Sequence, residues 1–267
     1  MVGGGRLIAG GVASALRFVA TAWRGAWAVL LLTAVTIGGF LTAVAWGEAA
    51  AWRGAWLAAA VLVATIARGA LYRLALGLPG VGPGGLQWRR AEGRLIAVWL
   101  LAAVFLFILG LLAFVAFIAS AYAVASAGAG FVATEPATWA PAVDGRGRFV
   151  VGAVGVAGAA ALSWAALRLS LAAAASVARG RIQVLSAWPL TRRCAGRLGL
   201  ALAVIAAPPA LLLAALSVAG GVLKPAPLVA VGFAQGLILA GLWLPTTIGL
   251  MAYLYRRADS AAREPPP

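Results

Sequence analysis

Forty consecutive residues, 95–134, contain no Asp, Glu, Lys or Arg. A helix crosses the hydrocarbon core of a bilayer with about 20 mostly apolar residues, and a soluble domain has no place to hide so long an apolar run. Other charge-free runs cover 25–47, 198–223 and 225–255, with shorter ones at 54–67 and 149–167. The run at 54–67 becomes long enough only if the helix includes its flanking Arg53 and Arg68, whose aliphatic stems let the guanidinium snorkel to the headgroups. Six spans follow, at 25–47, 52–72, 95–120, 149–167, 198–223 and 225–255, the fourth continuing past Arg168 as an alanine-rich helix. Composition agrees: 64% of the 267 residues are apolar and only 10% are charged, where soluble domains carry about 25% charged residues.

The charge that remains is one-sided. The 21 basic and 6 acidic residues give a net charge of +15, which in a soluble chain would suggest nucleic acid but in a membrane chain first reports topology. With the N-terminus inside, the segments 1–24, 68–94, 168–197 and 256–267 hold 17 basic residues. The other side holds 4, namely Arg53, Arg146, Arg148 and Lys224. Both termini are therefore expected to be cytoplasmic. No nucleic-acid partner is expected.

The expected fold is all-α: a polytopic membrane protein of six transmembrane helices over 25–255, preceded by an interfacial amphipathic helix at 1–24 and followed by a short cytoplasmic tail at 256–267. Arg6, Arg17 and Arg24 share one helical face, opposite Ile8, Val12, Ala15 and Val19, as in a helix lying on the inner leaflet. Trp23, Trp27, Trp46, Trp52, Trp56, Trp88 and Trp139 fall near proposed span ends, where indoles favour the headgroup layer. Trp99, Trp164 and Trp243 sit deeper, as packing residues. The hexapeptide Ala-Trp-Arg-Gly-Ala-Trp occurs at 22–27 and 51–56, an anchor used twice on the first hairpin.

Much familiar chemistry is missing. The chain has no histidine and a single cysteine, Cys194. This excludes histidine ligands and triads, an intrachain disulfide and a cysteine-ligated cluster. Glu48, Glu135 and Asp144 fall outside, and Glu92, Asp259 and Glu264 inside; none is placed as an intramembrane carboxylate, the usual mark of proton coupling. No catalytic residue, metal site or cofactor is expected. Gly80-Val-Gly-Pro-Gly-Gly85 fits G-x-G-x-x-G, yet a transmembrane helix precedes it where the dinucleotide fingerprint needs a strand.

Small residues and prolines mark the span interiors. Gly232 and Gly236 form G-x-x-x-G, and Gly152, Gly155 and Gly158 also recur at helical spacing. Such faces let backbones approach in lipid, ordinarily within the bundle and otherwise with a protein partner or in a homo-oligomer. Pro208–Pro209 and Pro245 are expected to break two spans, with Thr246 and Thr247 able to satisfy freed carbonyls.

An internal echo is the most specific pattern. Arg89-Arg-Ala-Glu-Gly-Arg-Leu95 and Arg192-Arg-Cys-Ala-Gly-Arg-Leu198 share Arg-Arg-x-x-Gly-Arg-Leu, and Arg73-Leu-Ala-Leu-Gly77 echoes Arg168-Leu-Ser-Leu-Ala172. Spans two and three thus look like a copy of spans four and five, each pair bracketing a basic inside loop. Polybasic segments beside a span gain about 1 kcal/mol per charge from acidic lipid, and the arginine fork suits phosphate. The candidate lipid or phosphate-binding residues are Arg73, Arg89, Arg90, Arg94, Arg168, Arg192, Arg193 and Arg197. The alternative role for the same charges is topology alone.

Residues 168–198 carry Arg-Leu-Ser-Leu, an alanine-rich stretch, and then Ser186, Trp188, Leu190 and Thr191 with Pro189 between them. This resembles the membrane domain attached to some glycerophosphoryl diester phosphodiesterases, and poorly characterised bacterial inner-membrane proteins like it. The resemblance implies about six spans, an amphipathic N-terminal segment and a Ser-Trp-x-Leu-Thr-type motif in an inside loop. It implies no activity, because the attached enzyme domain supplies the catalytic carboxylates and histidines. The expected function is a non-enzymatic protein of a bacterial inner membrane that engages anionic phospholipids through the two arginine clusters. One alternative is a transporter or channel for a small or anionic solute, lined by Thr246, Thr247, Gln235 and Arg168. Another is an anchor or assembly subunit of a larger complex.

Overall fold

Glycine and alanine decide which of these apolar helices touch. A computed structural model describes residues 4–47, 49–191, 195–222 and 225–263. It contains α1 (Gly4–Ala45), α2 (Ala50–Leu76), α3 (Arg90–Ala125), α4 (Trp139–Ala142), α5 (Gly145–Leu169), α6 (Ala172–Arg179), α7 (Ala195–Val222), α8 (Pro225–Leu237) and α9 (Leu244–Arg263). Among the described residues there is no strand. Among the described residues six helices, or runs of joined helices, are long and apolar enough to cross a membrane, and each overlaps one of the six charge-free runs. The fold is all-α and polytopic, that of a multi-pass membrane protein. The chain divides into two units, Met1–Trp99 with Ser170–Pro267, and Leu100–Leu169.

In the larger unit α1 is the organising helix. The expected break between an N-terminal helix and the first span shrinks to one non-helical residue, Ala26 (φ −137°, ψ 25°), inside a 42-residue helix. The segment before the kink has a protein partner. Gly11, Ala15 and Ala22 form a buried stripe, and α9 answers with Gly249, where an added Cβ would stand 3.2 Å from Ala15 Cα. Arg17 and Arg24 remain exposed, as their shared face requires.

Beyond the kink, Ala34, Gly38 and Thr42 repeat every fourth residue and receive Gly232 and Gly236 of α8. A Cβ on Gly38 would lie 2.8 Å from Gly232 O, and one on Gly236 would lie 3.0 Å from Gly38 N. Backbone meets backbone here, so the G-x-x-x-G face is occupied within the chain. On the neighbouring side Trp56 of α2 lies across Gly39.

The two proline sites differ. Pro208 and Pro209 were expected to break the fifth span, but α7 runs through both as an α-helix. Alanines at 206, 207 and 210 flank the rings, and a membrane helix absorbs such a pair by local adjustment. At Pro245 the sixth span does deviate. A π-helical turn, Ile238–Trp243, joins α8 to α9. Proline has no N–H for the carbonyl four residues back, that of Gly241, and Trp23 Nε1 donates to that carbonyl at 2.9 Å instead. Thr246 Oγ1 donates to Leu242 O at 2.7 Å and Thr247 Oγ1 to Trp243 O at 2.9 Å, so the threonines bond neighbouring carbonyls of their own helix while Trp23 serves the one that Pro245 leaves. Trp23, read from sequence as a headgroup anchor, is thus also a hydrogen-bond donor to the last span.

The smaller unit is a hairpin of α3 and α5. Cβ atoms added to Gly155 and Gly158 would meet Phe117 at 3.5 Å and Ala113 at 3.1 Å, so two of the three spaced glycines serve helix packing. Gly152 faces open space. Tyr122, Phe131 and Trp139 close the connecting segment with edge-on ring contacts of 5.3 and 5.4 Å from Tyr122.

Candidate functional site: an arginine cleft over a buried ion pair

The α2 helix ends at Gly77, whose φ of +70° sets the left-handed cap and lets Leu78 N–H bond Arg73 O at 2.8 Å. Arg73 is therefore in the last turn, where a cation complements the carbonyl end of the helix dipole. Its side chain is nonetheless buried, at 6% exposure, beside a fully buried Glu92. Arg73 Nη2 donates to Glu92 Oε1 at 2.6 Å. Glu92 stands three residues beyond the N-cap Arg89 of α3, and its Oε2 accepts the Arg89 backbone N–H at 2.7 Å, the reach-back half of a capping box. One carboxylate thus neutralises the end of α2 and caps the start of α3. Space for it comes from Gly69, where any Cβ would occupy the position of the Glu92 carboxylate.

The connecting loop is fixed from the other side. Gly84 and Gly85, at φ of +60° and +81°, seat the loop on Ala26, Ala28 and Val29 of α1. Gln87 Nε2 donates to Gly80 O, and the Arg89 guanidinium covers Gly80, which has φ +87°. These glycines, which fit G-x-G-x-x-G by spacing, provide left-handed turns and close approach to α1.

Above the ion pair lies a cleft of about 500 Å³ lined by Arg73, Arg89, Arg90 and Arg94, with Leu78, Pro79, Ala91 and Val177 as its apolar walls. Arg73 is one of its lining residues, while its Nε and Nη1 are buried out of reach of the cleft and have no hydrogen-bond partner among the described residues. Arg94 Nε donates to Arg90 O at 3.2 Å, and its guanidinium lies beside Gly180, at the end of α6. Four guanidiniums and one carboxylate leave a cleft with a net positive charge of three. Donors of this kind hold phosphate, sulfate or carboxylate.

Of the eight arginines singled out by the echo, the structure brings together four. Arg168 is in the unit Leu100–Leu169, buried, with its guanidinium 5.8 Å from the centroid of the Trp164 ring. Arg197 is exposed on the first turn of α7 and does not line this cleft. Arg192 and Arg193 lie outside the described residues. The second copy also lacks the acid, since Ala195 stands where the first has Glu92. Its motif Ser186–Thr191 falls in a 3-10 turn, Leu185–Thr191, in which Thr191 Oγ1 donates to Trp188 O at 3.0 Å.

Two polar clusters were not foreseen. Glu92 reads in the sequence as one more inside acid, and its only local signal is its place three residues into α3. Arg179 joins α6 to α9, donating to Asp259 Oδ1 at 2.9 Å, to Tyr255 Oη at 3.2 Å and to Gln183 Oε1 at 3.2 Å. Trp99, read as a packing residue, carries the Arg68 guanidinium 4.7 Å above its ring centroid. The polar groups proposed to line a transport path are otherwise engaged. Thr246 and Thr247 bond their own helix, and Gln235 Nε2 donates to Ser217 Oγ at 3.1 Å. Among the described residues no group of three or more His, Cys, Asp or Glu could hold a metal ion. Comparison of the chain with family models, with curated proteins and with solved structures finds no match to any of them.

Proposed function

We propose that the chain is a non-enzymatic protein of a bacterial inner membrane, with both termini cytoplasmic, whose arginine cleft holds the phosphate of an anionic phospholipid in the inner leaflet. The observation that carries this reading is the cleft itself: Arg73, Arg89, Arg90 and Arg94 line it, and Glu92 compensates only Arg73. The arginine fork suits phosphate, and the three uncompensated rim charges call for an anionic partner. The reading is supported by the position of the cleft at the ends of α2 and α3, two helices long and apolar enough to cross a bilayer. The orientation rests on the 17-to-4 division of basic residues.

Native mass spectrometry tests the binding. Replacing Arg89, Arg90 and Arg94 together by Gln leaves the Arg73–Glu92 pair in place and removes three rim charges. At about 1 kcal/mol per charge, retention of phosphatidylglycerol or cardiolipin falls roughly a hundredfold. Unchanged retention would refute the site. Orientation has a separate test: alkaline phosphatase fused after Pro267 is inactive and a fluorescent protein there is bright, and the reverse pattern would invert the topology.

A further inference from the structure

The charge in the cleft selects among phosphates. We infer that the site takes a phosphomonoester, the terminal phosphate of a lipid such as phosphatidic acid or of a small soluble ester, in preference to the phosphodiester of ordinary headgroups. This rests on the anion-site reading above and narrows it.

The argument begins with what the protein has already neutralised. Glu92 cancels one of the four guanidiniums and uses Nη2 of Arg73. Three positive charges remain, those of Arg89, Arg90 and Arg94. The cleft also lies against Arg90 and Ala91, the first turn of α3, the positive end of that helix dipole. A phosphodiester brings one charge and two free oxygens, leaving two positive charges uncompensated. A phosphomonoester carries about −1.5 to −2 at pH 7 and offers three acceptor oxygens. It leaves only about one positive charge uncompensated and offers one oxygen to each of the three rim guanidiniums. Apolar surface at Leu78, Pro79 and Val177 gives the wall against which the ester's carbon substituent can rest. Among the described residues that line the cleft there is no carboxylate that would repel the additional charge.

Purified full-length protein in nanodiscs of phosphatidylcholine, doped with either phosphatidic acid or phosphatidylglycerol, provides the experiment, read at pH 7.5 by native mass spectrometry. The expected result is at least tenfold stronger retention of phosphatidic acid, equivalent to about 1.4 kcal/mol. The Arg89/Arg90/Arg94→Gln variant should reduce that ratio to less than about threefold, because removing the rim removes the uncompensated charge. Equal retention of the two lipids, both lost in the variant, would overturn the monoester selectivity while leaving the anionic-headgroup site intact. If the variant retains both lipids as wild type does, the headgroup site itself fails. Competition identifies the source of the phosphate. Displacement of phosphatidic acid by glycerol 3-phosphate, but not by its methyl diester, assigns the cleft to soluble monoesters as well. Resistance to both restricts it to the lipid. Equal displacement by both esters would again overturn the selectivity.

Discussion

Replacing Glu92 by Ala should destabilise the protein by about 3–5 kcal/mol, the usual result of leaving one member of a buried ion pair uncompensated. Arg73 would then be a buried cation with Nη2 added to its unmatched Nε and Nη1, and Arg89 would lose the acceptor for its backbone N–H. Thermal unfolding in detergent should drop by roughly 10 °C, scaling from soluble domains of similar size. The paired replacement Arg73→Met with Glu92→Leu should recover most of that loss, because an apolar pair of similar volume is often as stable as the buried ions. Gly69 supplies an internal check. Its Cβ would occupy the carboxylate's position, so Gly69→Ala should be costly beside Glu92 and nearly neutral beside Ala at 92, a non-additivity diagnostic of contact. If Glu92→Ala melts within about 2 °C of wild type, the ends of α2 and α3 are held by something other than this pair.

The second large effect is expected at Gly236. A side chain there points at the backbone of α1, with Gly38 N 3.0 Å from the first added carbon, and backbone cannot move aside as a rotamer can. Overpacking a core typically costs about 1–3 kcal/mol; Gly236→Leu should exceed that range, since α8 must leave α1 altogether. Fluorescence-detected size exclusion should show loss of the monodisperse peak. Gly152→Leu is the matched control, since nothing lies within 4 Å of its added carbon, and it should elute as wild type. A normal profile for Gly236→Leu would mean that α1 and α8 are not apposed in this register. The same contact bears on oligomerisation: a face filled by α1 is not free to dimerise.

What could be read in advance follows from the range of each interaction. The spans were legible because a bilayer imposes a length and excludes charge, and both appear in any contiguous window of sequence. Helix faces were legible in part: the small-residue spacing at Gly232 and Gly236 pointed to close packing but could not say that Ala34, Gly38 and Thr42 receive it. The arginine cluster of the first loop was visible as Arg89, Arg90 and Arg94, three charges within one helical turn and a half. Arg73 was marked as well, through its echo at Arg168, but its pairing with Glu92 was not, because the two are 19 residues apart and meet only through the path of the 77–89 loop. The echo suggested two equal sites. It repeats the arginines but not the acid: Ala195 stands where the first copy has Glu92, a difference visible in the sequence whose weight appears only once the Arg73–Glu92 pair is seen. Proline was over-read at 208–209 for a related reason: what a lost N–H does depends on neighbours that local sequence does not contain.

The 2.9 Å bond from Trp23 to Gly241 spans 218 positions of the chain, and that separation has a meaning in time. Ribosomes add roughly 5–20 residues per second, so α1 waits roughly 10–40 s in the bilayer before its partner carbonyl, and the glycines of α8 just ahead of it, have been made. Throughout that interval the face formed by Ala34, Gly38 and Thr42 is open to lipid or to any other helix being inserted nearby. The α1 face that α8 fills is therefore among the last surfaces of the larger unit to be covered, although α2 and the 77–89 loop pack on α1 earlier, so this part of the fold is completed only after α8 has been made.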